Sequence, residues 1–183
     1  VPAMELFSAL IKERAETGRI YIMNVDHANT HSSFLDKIYM SNLCQEITLP
    51  TVPLNHIDDE EGEIALCILS AINVGTLRNL DDLEDLCELA VRALEEIIDY
   101  QNYPIAAAEK STKARRSLGV GYIGLAHYLA RNKVMYADQE AWQLVHDLSE
   151  AFQFFLLKAS NKLAIERGPC EYFHRTKYSN GIL

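Results

Sequence analysis

Apolar positions recur along the chain with two different periods, and the switches between them mark the expected elements. Met4, Phe7, Leu10 and Ile11 fall at helical spacing within residues 3–17 and Gly18 follows, so a helix with a glycine stop is predicted there. Residues 19–25 are rich in apolar, β-branched and aromatic side chains, which predicts a strand. The polar stretch 26–41 reads as a long loop, and loops of that length inside compact proteins are usually functional or disordered. Residues 43–49 alternate apolar with polar, which predicts an extended segment with two distinct faces, closed by Pro50 and Pro53. A second apolar segment, 64–69, follows the acidic run Asp58, Asp59, Glu60, Glu61 and Glu63. That run reads as a solvated turn, because its spacing does not match the alternating ligands of a calcium loop.

The clearest helix covers residues 80–101, where Leu83, Leu86, Val91, Leu94 and Ile98 form one stripe opposite many carboxylates. Cys87 lies near that stripe and reads as core filling. A shorter helix at about 120–132 and a long one over 138–167, stopped by Gly168-Pro169, complete a helix-rich α/β pattern with a few short strands. No repeat, low-complexity tract or flexible linker divides the chain, so residues 1–183 are expected to form one domain or part of one.

Composition narrows the function classes. With 49% hydrophobic and 23% charged residues, the 183-residue chain is expected to bury a real core. A formal charge of -9, from 17 basic and 26 acidic residues, repels polyanions and argues against nucleic acid as a partner. The one basic cluster, Lys110, Lys113, Arg115 and Arg116, reads as a solvated loop rather than a phosphate site. No apolar run approaches the ~20 residues that span a bilayer, and no leader-like segment opens the chain, so a cytoplasmic location without membrane contact is expected. The chain begins Val1-Pro2 and enters an amphipathic pattern at once, as a sequence entered mid-protein would.

The four cysteines, Cys44, Cys67, Cys87 and Cys170, are too few and too scattered for a disulfide scaffold, and no CxxC pair suggests zinc. Any cysteine that matters is expected to act through reactivity. Cys170, just past a helix end with no base or cation beside it, reads as structural. Gly119-Val120-Gly121-Tyr122-Ile123-Gly124 matches the GxGxxG pattern of dinucleotide-binding folds, but the segment before it is basic and polar rather than a buried strand. Glycines that permit close helix packing are the expected explanation. His27 and His31 stand one helical turn apart, yet their polar neighbours place them in the loop, where that spacing carries no meaning.

Asn42, Cys44 and Glu46 sit at i, i+2 and i+4. In an extended segment their side chains share one face and are expected to line one accessible cavity. A thiol flanked by a carboxamide and a carboxylate offers a sulfur centre, hydrogen-bonding groups and a proton acceptor to one small polar substrate. Spacing alone leaves chance in an amphipathic strand as an equal alternative.

The longer context of that trio, SNLCQEITLP over residues 41–50, closely resembles the active-site loop of class I ribonucleotide reductase large subunits. Residues 19–34 (RIYIMNVDHANTHSSF), 63–75 (EIALCILSAINVG), 115–121 (RRSLGVG) and 156–164 (LLKASNKLA) resemble family segments in the family's order. The resemblance implies a slice of a ten-stranded α/β barrel. It implies Cys44 as the thiyl-radical cysteine that abstracts the ribose 3'-hydrogen, Glu46 as base for the 3'-hydroxyl, and Asn42 as the amide bonding the substrate's hydroxyls. Cys67 matches one member of the redox pair that reduces the substrate. The implied reaction is reduction of ribonucleoside diphosphates to deoxyribonucleotides for DNA synthesis. A di-iron small subunit would supply the radical, thioredoxin or glutaredoxin the electrons, and nucleotide effectors the regulation, with none of these cofactors expected to bind within this segment. The effector domain, the partner of Cys67, the radical-relay tyrosines, the diphosphate site and the C-terminal cysteines are expected in flanking segments. Two alternatives stand beside this: a non-catalytic helix-rich interaction module or relic, which predicts a fully buried Cys44, and a dinucleotide oxidoreductase, which needs a strand before Gly119 with parallel neighbours.

Overall fold

The computed structural model describes residues 1–182. Eight regular elements follow the helix-rich α/β order α1 (Ala3–Thr17), α2 (Val25–His31), β1 (Ile68–Asn73), α3 (Asp82–Tyr100), α4 (Ala106–Arg115), β2 (Leu118–Ile123), α5 (Leu125–Arg131) and α6 (Gln139–Arg167), with short 3-10 turns at Val74–Thr76, Glu171–Arg175 and Lys177–Asn180. The two strands pair in parallel from Ile68 opposite Leu118 to Asn73 opposite Ile123. A parallel pair cannot be closed by a tight turn and needs a long crossover, which α3 and α4 provide.

The core lies between this pair and the two long helices. Leu83, Cys87, Val91, Leu94 and Ile98 of α3 are buried, as the apolar stripe predicted, while Leu86 at its margin is exposed. Leu83 and Cys87 pack with Leu148 and Phe152 of α6 and with Ile72 of β1. Val91 packs with Ala159 and Leu163 further along. Tyr122 of β2 meets Phe152 edge to face, with ring centroids 5.4 Å apart, so strand and helix lock through a favourable aromatic geometry. Three ion pairs, Glu84–Lys158, Glu88–Lys162 and Arg92–Glu166, each join positions 74 apart, so α3 and α6 run in the same direction. Each such exposed pair contributes about 0–1 kcal/mol and serves register more than stability.

α1 ends at Gly18, whose φ of 66° is the left-handed stop expected, and none of its residues is buried. Several other expectations need correction. Residues 19–24 form no strand, because no neighbouring strand among the described residues supplies ladder hydrogen bonds, and β propensity yields a strand only with such a partner. The polar stretch after it is not all loop: Val25–His31 is helical, so His27 and His31 do share a face, with ring centroids 6.3 Å apart. Among the described residues no group of three potential ligands surrounds them or any other point.

The basic cluster is not a solvated loop either. Lys110, Lys113 and Arg115 belong to α4 and Arg116 caps its end, with Arg115 buried and Arg116 half-buried against Glu95 and Asp99. Residues 118–123 form a strand where a helix was expected from about 120, because the glycines fit a pleat beside β1. A Cβ on Gly119 would stand 2.5 Å from Leu69 Cδ2 and 3.0 Å from Cys67 Sγ, so this glycine admits close approach of a neighbouring strand, not of a helix. In the acidic run Asp58, Glu60 and Glu61 are exposed, Asp59 is half-buried and Glu63 is buried. At its exposed turn, Asn55 N–H and Glu61 N–H donate to Asp59, which holds that carboxyl below the usual range.

Because Leu83 sits at the junction of α3, α6 and β1, Leu83→Ala is expected to lower stability by about 2–5 kcal/mol. Phe7→Ala on the exposed face of α1 is expected to change it by less than about 0.5 kcal/mol. Urea denaturation of the two variants checks the contrast.

Candidate active site

The trio Asn42, Cys44 and Glu46 lies between α2 and β1, in a segment fixed at both ends. On the near side Asn29 of α2 clamps Ile38, its Oδ1 accepting the Ile38 N–H and its Nδ2 donating to the Ile38 carbonyl, both at 2.8 Å. Ile38 is fully buried, so this carboxamide takes the place of a strand neighbour for a backbone that has none. On the far side Pro50 is fully buried, and Val52 and Glu63 exchange backbone hydrogen bonds of 3.1 and 3.0 Å as an antiparallel bridge.

Between these anchors the chain turns rather than extends. Gln45 N–H donates to the Asn42 carbonyl at 3.1 Å, and Gln45 has a φ of 64°, a left-handed backbone that costs a side-chain-bearing residue about 1–2 kcal/mol. The same-face derivation from i, i+2, i+4 spacing is therefore corrected, since alternation holds only for continuous extended backbone. The turn is closed by its own polar side chains. Ser41 Oγ–H donates to the Ile47 carbonyl at 2.7 Å, and Ile47 N–H donates to Asn42 Oδ1 at 3.0 Å. Asn42 Nδ2 makes no hydrogen bond among the described residues and stays available.

All three side chains are exposed on this one turn. Behind it lies an apolar cavity of about 390 Å³, lined by Asn42, Ile47, Leu49, Val52, Glu63 and Ile64 among others, but by neither Cys44 nor Glu46. Of the three expected to share one cavity, Asn42 alone lines this one. Cys67 is not part of the turn. It immediately precedes β1, half-buried beside Gly119, and burial pushes its thiol up. Cys87 is fully buried and pushed up to about 11 by burial, as core filling requires, and Cys170 is half-buried and pushed up mainly for the same reason. All four cysteines are free thiols.

One cluster escaped the sequence entirely. Arg115 Nε donates to Glu63 Oε2 at 2.8 Å, and Arg115 Nη1 to Asp36 Oδ2 at 2.9 Å. Arg175 Nε reaches the same Asp36 oxygen at 2.8 Å and its Nη1 lies 3.4 Å from Glu63 Oε1. The ring of Tyr172 lies 5.1 Å from the Arg115 guanidinium carbon and 4.3 Å from that of Arg175. The available signal was weak: Arg115 is the last residue of an alanine-rich helix, whose small side chains mark close packing.

The glycine pattern fails as a dinucleotide site for a geometric reason. Gly119 and Gly121 lie inside β2, parallel to β1, and Gly124 with a φ of 80° caps the seven-residue α5, so no glycine turn remains to wrap a pyrophosphate.

A family model described as the ribonucleotide reductase barrel domain matches residues 1–183. The chain belongs to that family. Ribonucleoside-diphosphate reductase subunit alpha of Haemophilus influenzae is 59% identical over 100% of the chain and 25% of its own length. The same-named subunit of Escherichia coli, ribonucleoside-diphosphate reductase 1 subunit alpha, is 56% identical over 100% of the chain and 24% of its own length, and that of bacteriophage T4 is 43% identical over similar shares. The chain thus spans about a quarter of the length of these ribonucleotide reductase relatives. No helix among the described residues is long and apolar enough to cross a membrane.

Exposure and burial rank the thiols. Iodoacetamide labelling followed by peptide mass spectrometry is expected to modify Cys44 first, Cys67 and Cys170 more slowly, and Cys87 only on unfolding. Folded Cys87 keeps its proton to about pH 11, whereas a thiol in the unfolded chain releases it near 9.0. The stability this confers is full below pH 9 and is lost as pH rises from 9 to 11. A Cys87→Ala variant is expected to show a shallower fall in thermal midpoint across that window.

Proposed function

We propose that residues 1–183 are the central part of the catalytic barrel of a class I ribonucleoside-diphosphate reductase large subunit, a single incomplete domain that carries the radical cysteine. The observation carrying this is the identity of more than half of all positions, over the whole chain, to proteins named ribonucleoside-diphosphate reductase subunit alpha. The geometry adds support: Cys44 is exposed, where a non-catalytic module with structural cysteines requires it buried.

On this proposal Cys44, as a thiyl radical, takes the 3'-hydrogen of the ribose. Glu46 accepts the proton of the 3'-hydroxyl, and the free Nδ2 of Asn42 donates to a substrate hydroxyl while its Oδ1 holds the turn. Cys67 and a partner cysteine outside this chain give up two electrons and two protons to the substrate and become a disulfide. The radical comes from a small subunit with a di-iron centre, thioredoxin or glutaredoxin reduces the disulfide, and nucleotide effectors bind elsewhere in the complete subunit. Burial of Cys67 suits a thiol that must stay protonated until its hydrogen is used. Such an enzyme works in the cytoplasm.

The test replaces the matched quarter of the Escherichia coli subunit with this chain and assays deoxyribonucleotide formation with small subunit, thioredoxin and a ribonucleoside diphosphate. Turnover is expected, and Cys44→Ser is expected to abolish it without loss of folding, because a serine O–H bond is too strong for the hydrogen transfer. Turnover by the serine variant removes Cys44 from the radical role. The 183-residue chain with small subunit alone is expected to be inactive, since nothing then holds the ribose at Cys44 in reacting geometry. Robust activity from that pair would overturn the partial-domain proposal.

A further inference from the structure

The proposed chemistry makes no use of the charges of Asp36, Glu63, Arg115 and Arg175, of which Glu63 and Arg115 are buried and Asp36 and Arg175 half-buried. Asp36 lies on the near side of the Cys44 turn and Glu63 is bridged to Val52 on its far side. One guanidinium, that of Arg115, binds both carboxylates at 2.8 and 2.9 Å. We infer that Arg115 is a positioning residue that ties the two stems of the Cys44 turn into one rigid frame, an inference that rests on Cys44 being the reacting thiol.

Stability alone is a poor reason for such a cluster. Removing charges from water costs about as much as their attraction returns, so a buried ion pair is often no better than apolar side chains of equal volume. What it does supply is direction. The guanidinium is a planar fork whose donors leave at fixed angles, so binding two carboxylates at once fixes their separation and orientation. Tyr172 lies against Arg115 and Arg175 together, and Arg175 supplies the second cation that balances the two carboxylates. Arg115 Nη2 stands 2.7 Å from Glu63 Oε2, an ion-pair contact without an aligned hydrogen bond.

The turn needs such a frame because its tip has little support of its own. Leu43 is 76% exposed, and the hydrogen bonds that close the turn are all local to residues 41–47. These bonds keep the turn's shape but not its place. Its place is set by the stems, through Asn29 on Ile38, the Val52–Glu63 bridge and the Arg115 fork that joins both sides. A stem displaced by about 1 Å carries the turn with it, and misplacement on that scale costs a reaction about 100-fold.

The test uses Asp36→Asn, Arg115→Lys and Asp36→Glu in the reconstituted subunit described above, with Cys44→Ser as control. Asp36→Asn leaves the Arg115–Glu63 pair intact, so it folds even if Arg115→Lys does not. The expected result is a fall in kcat per folded molecule of about 10- to 100-fold, with KM for the nucleoside diphosphate within about twofold of wild type. Asp36→Glu, which keeps the carboxylate, recovers most of the loss. Hydrogen exchange is expected to quicken in residues 38–52 and to stay unchanged in α3 and α6. A kcat per folded molecule that stays at the wild-type value in Asp36→Asn, or exchange that rises uniformly, overturns the positioning role. Turnover by Cys44→Ser instead overturns the assignment of Cys44, whatever the Arg115 and Asp36 variants do, so the two failures are distinct.

Discussion

Parallel pairing of β1 with β2 is the constraint from which the rest of the arrangement follows. Two parallel strands in register begin at the same end, so the segments that lead into them arrive side by side. Ile68 N–H donates to the Ser117 carbonyl at that entrance, and Ile64 N–H to the Ala107 carbonyl of α4. Glu63, shortly before β1, and Arg115, shortly before β2, are therefore brought face to face although they are 52 positions apart. The same pairing sets Cys67 against Gly119. A hairpin would have placed these pairs at opposite ends.

The crossover that parallel pairing demands also decides where the core lies. α3 must return along the sheet, and its apolar stripe is the surface on which α6 packs in the same direction. Two kinds of interaction then divide the labour. Apolar contacts of Leu83, Leu148 and Phe152 carry the stability, since burial of each such side chain contributes about 1.5–3 kcal/mol. The charges carry orientation: a ladder of exposed pairs along α3 and α6, and the buried fork beneath the turn. The first set is nearly free of solvent exposure and tolerates no loss of volume. The second contributes little net energy but permits few geometries.

The sequence was legible where structure depends on near neighbours. α1, α3 and α6 follow from helical spacing, and α1 and α6 also from glycine stops, within a few residues of their observed ends. It was not legible where a distant partner decides. Residues 19–24 have the composition of a strand and lack a neighbour, while residues 118–123 have glycines that discourage a strand and gain one because β1 fits against them. Arg115 and Glu63 each looked solvated, because nothing local to either reveals the other. The trio of Asn42, Cys44 and Glu46 was found by its residue types and by the family resemblance of SNLCQEITLP. Its geometry was mistaken, since a single left-handed residue, Gln45, ends the alternation on which the same-face derivation relied.

That left-handed residue fits the demands of the chemistry proposed for the turn. Hydrogen-atom transfer needs no ionised thiolate and no nearby cation to lower a thiol pKa, so the scaffold must supply access and position rather than charge. A continuous strand would pack alternate side chains against its neighbours and bury one face. A turn presents its tip instead, at a backbone cost of about 1–2 kcal/mol at Gln45. Asn42 offsets part of that cost by accepting the Ile47 N–H, and it keeps its own Nδ2 free beside Cys44 in sequence. Local hydrogen bonds thus hold the shape of the turn while the buried fork of Arg115 holds its place, and neither task requires a side chain that the proposed reaction would consume.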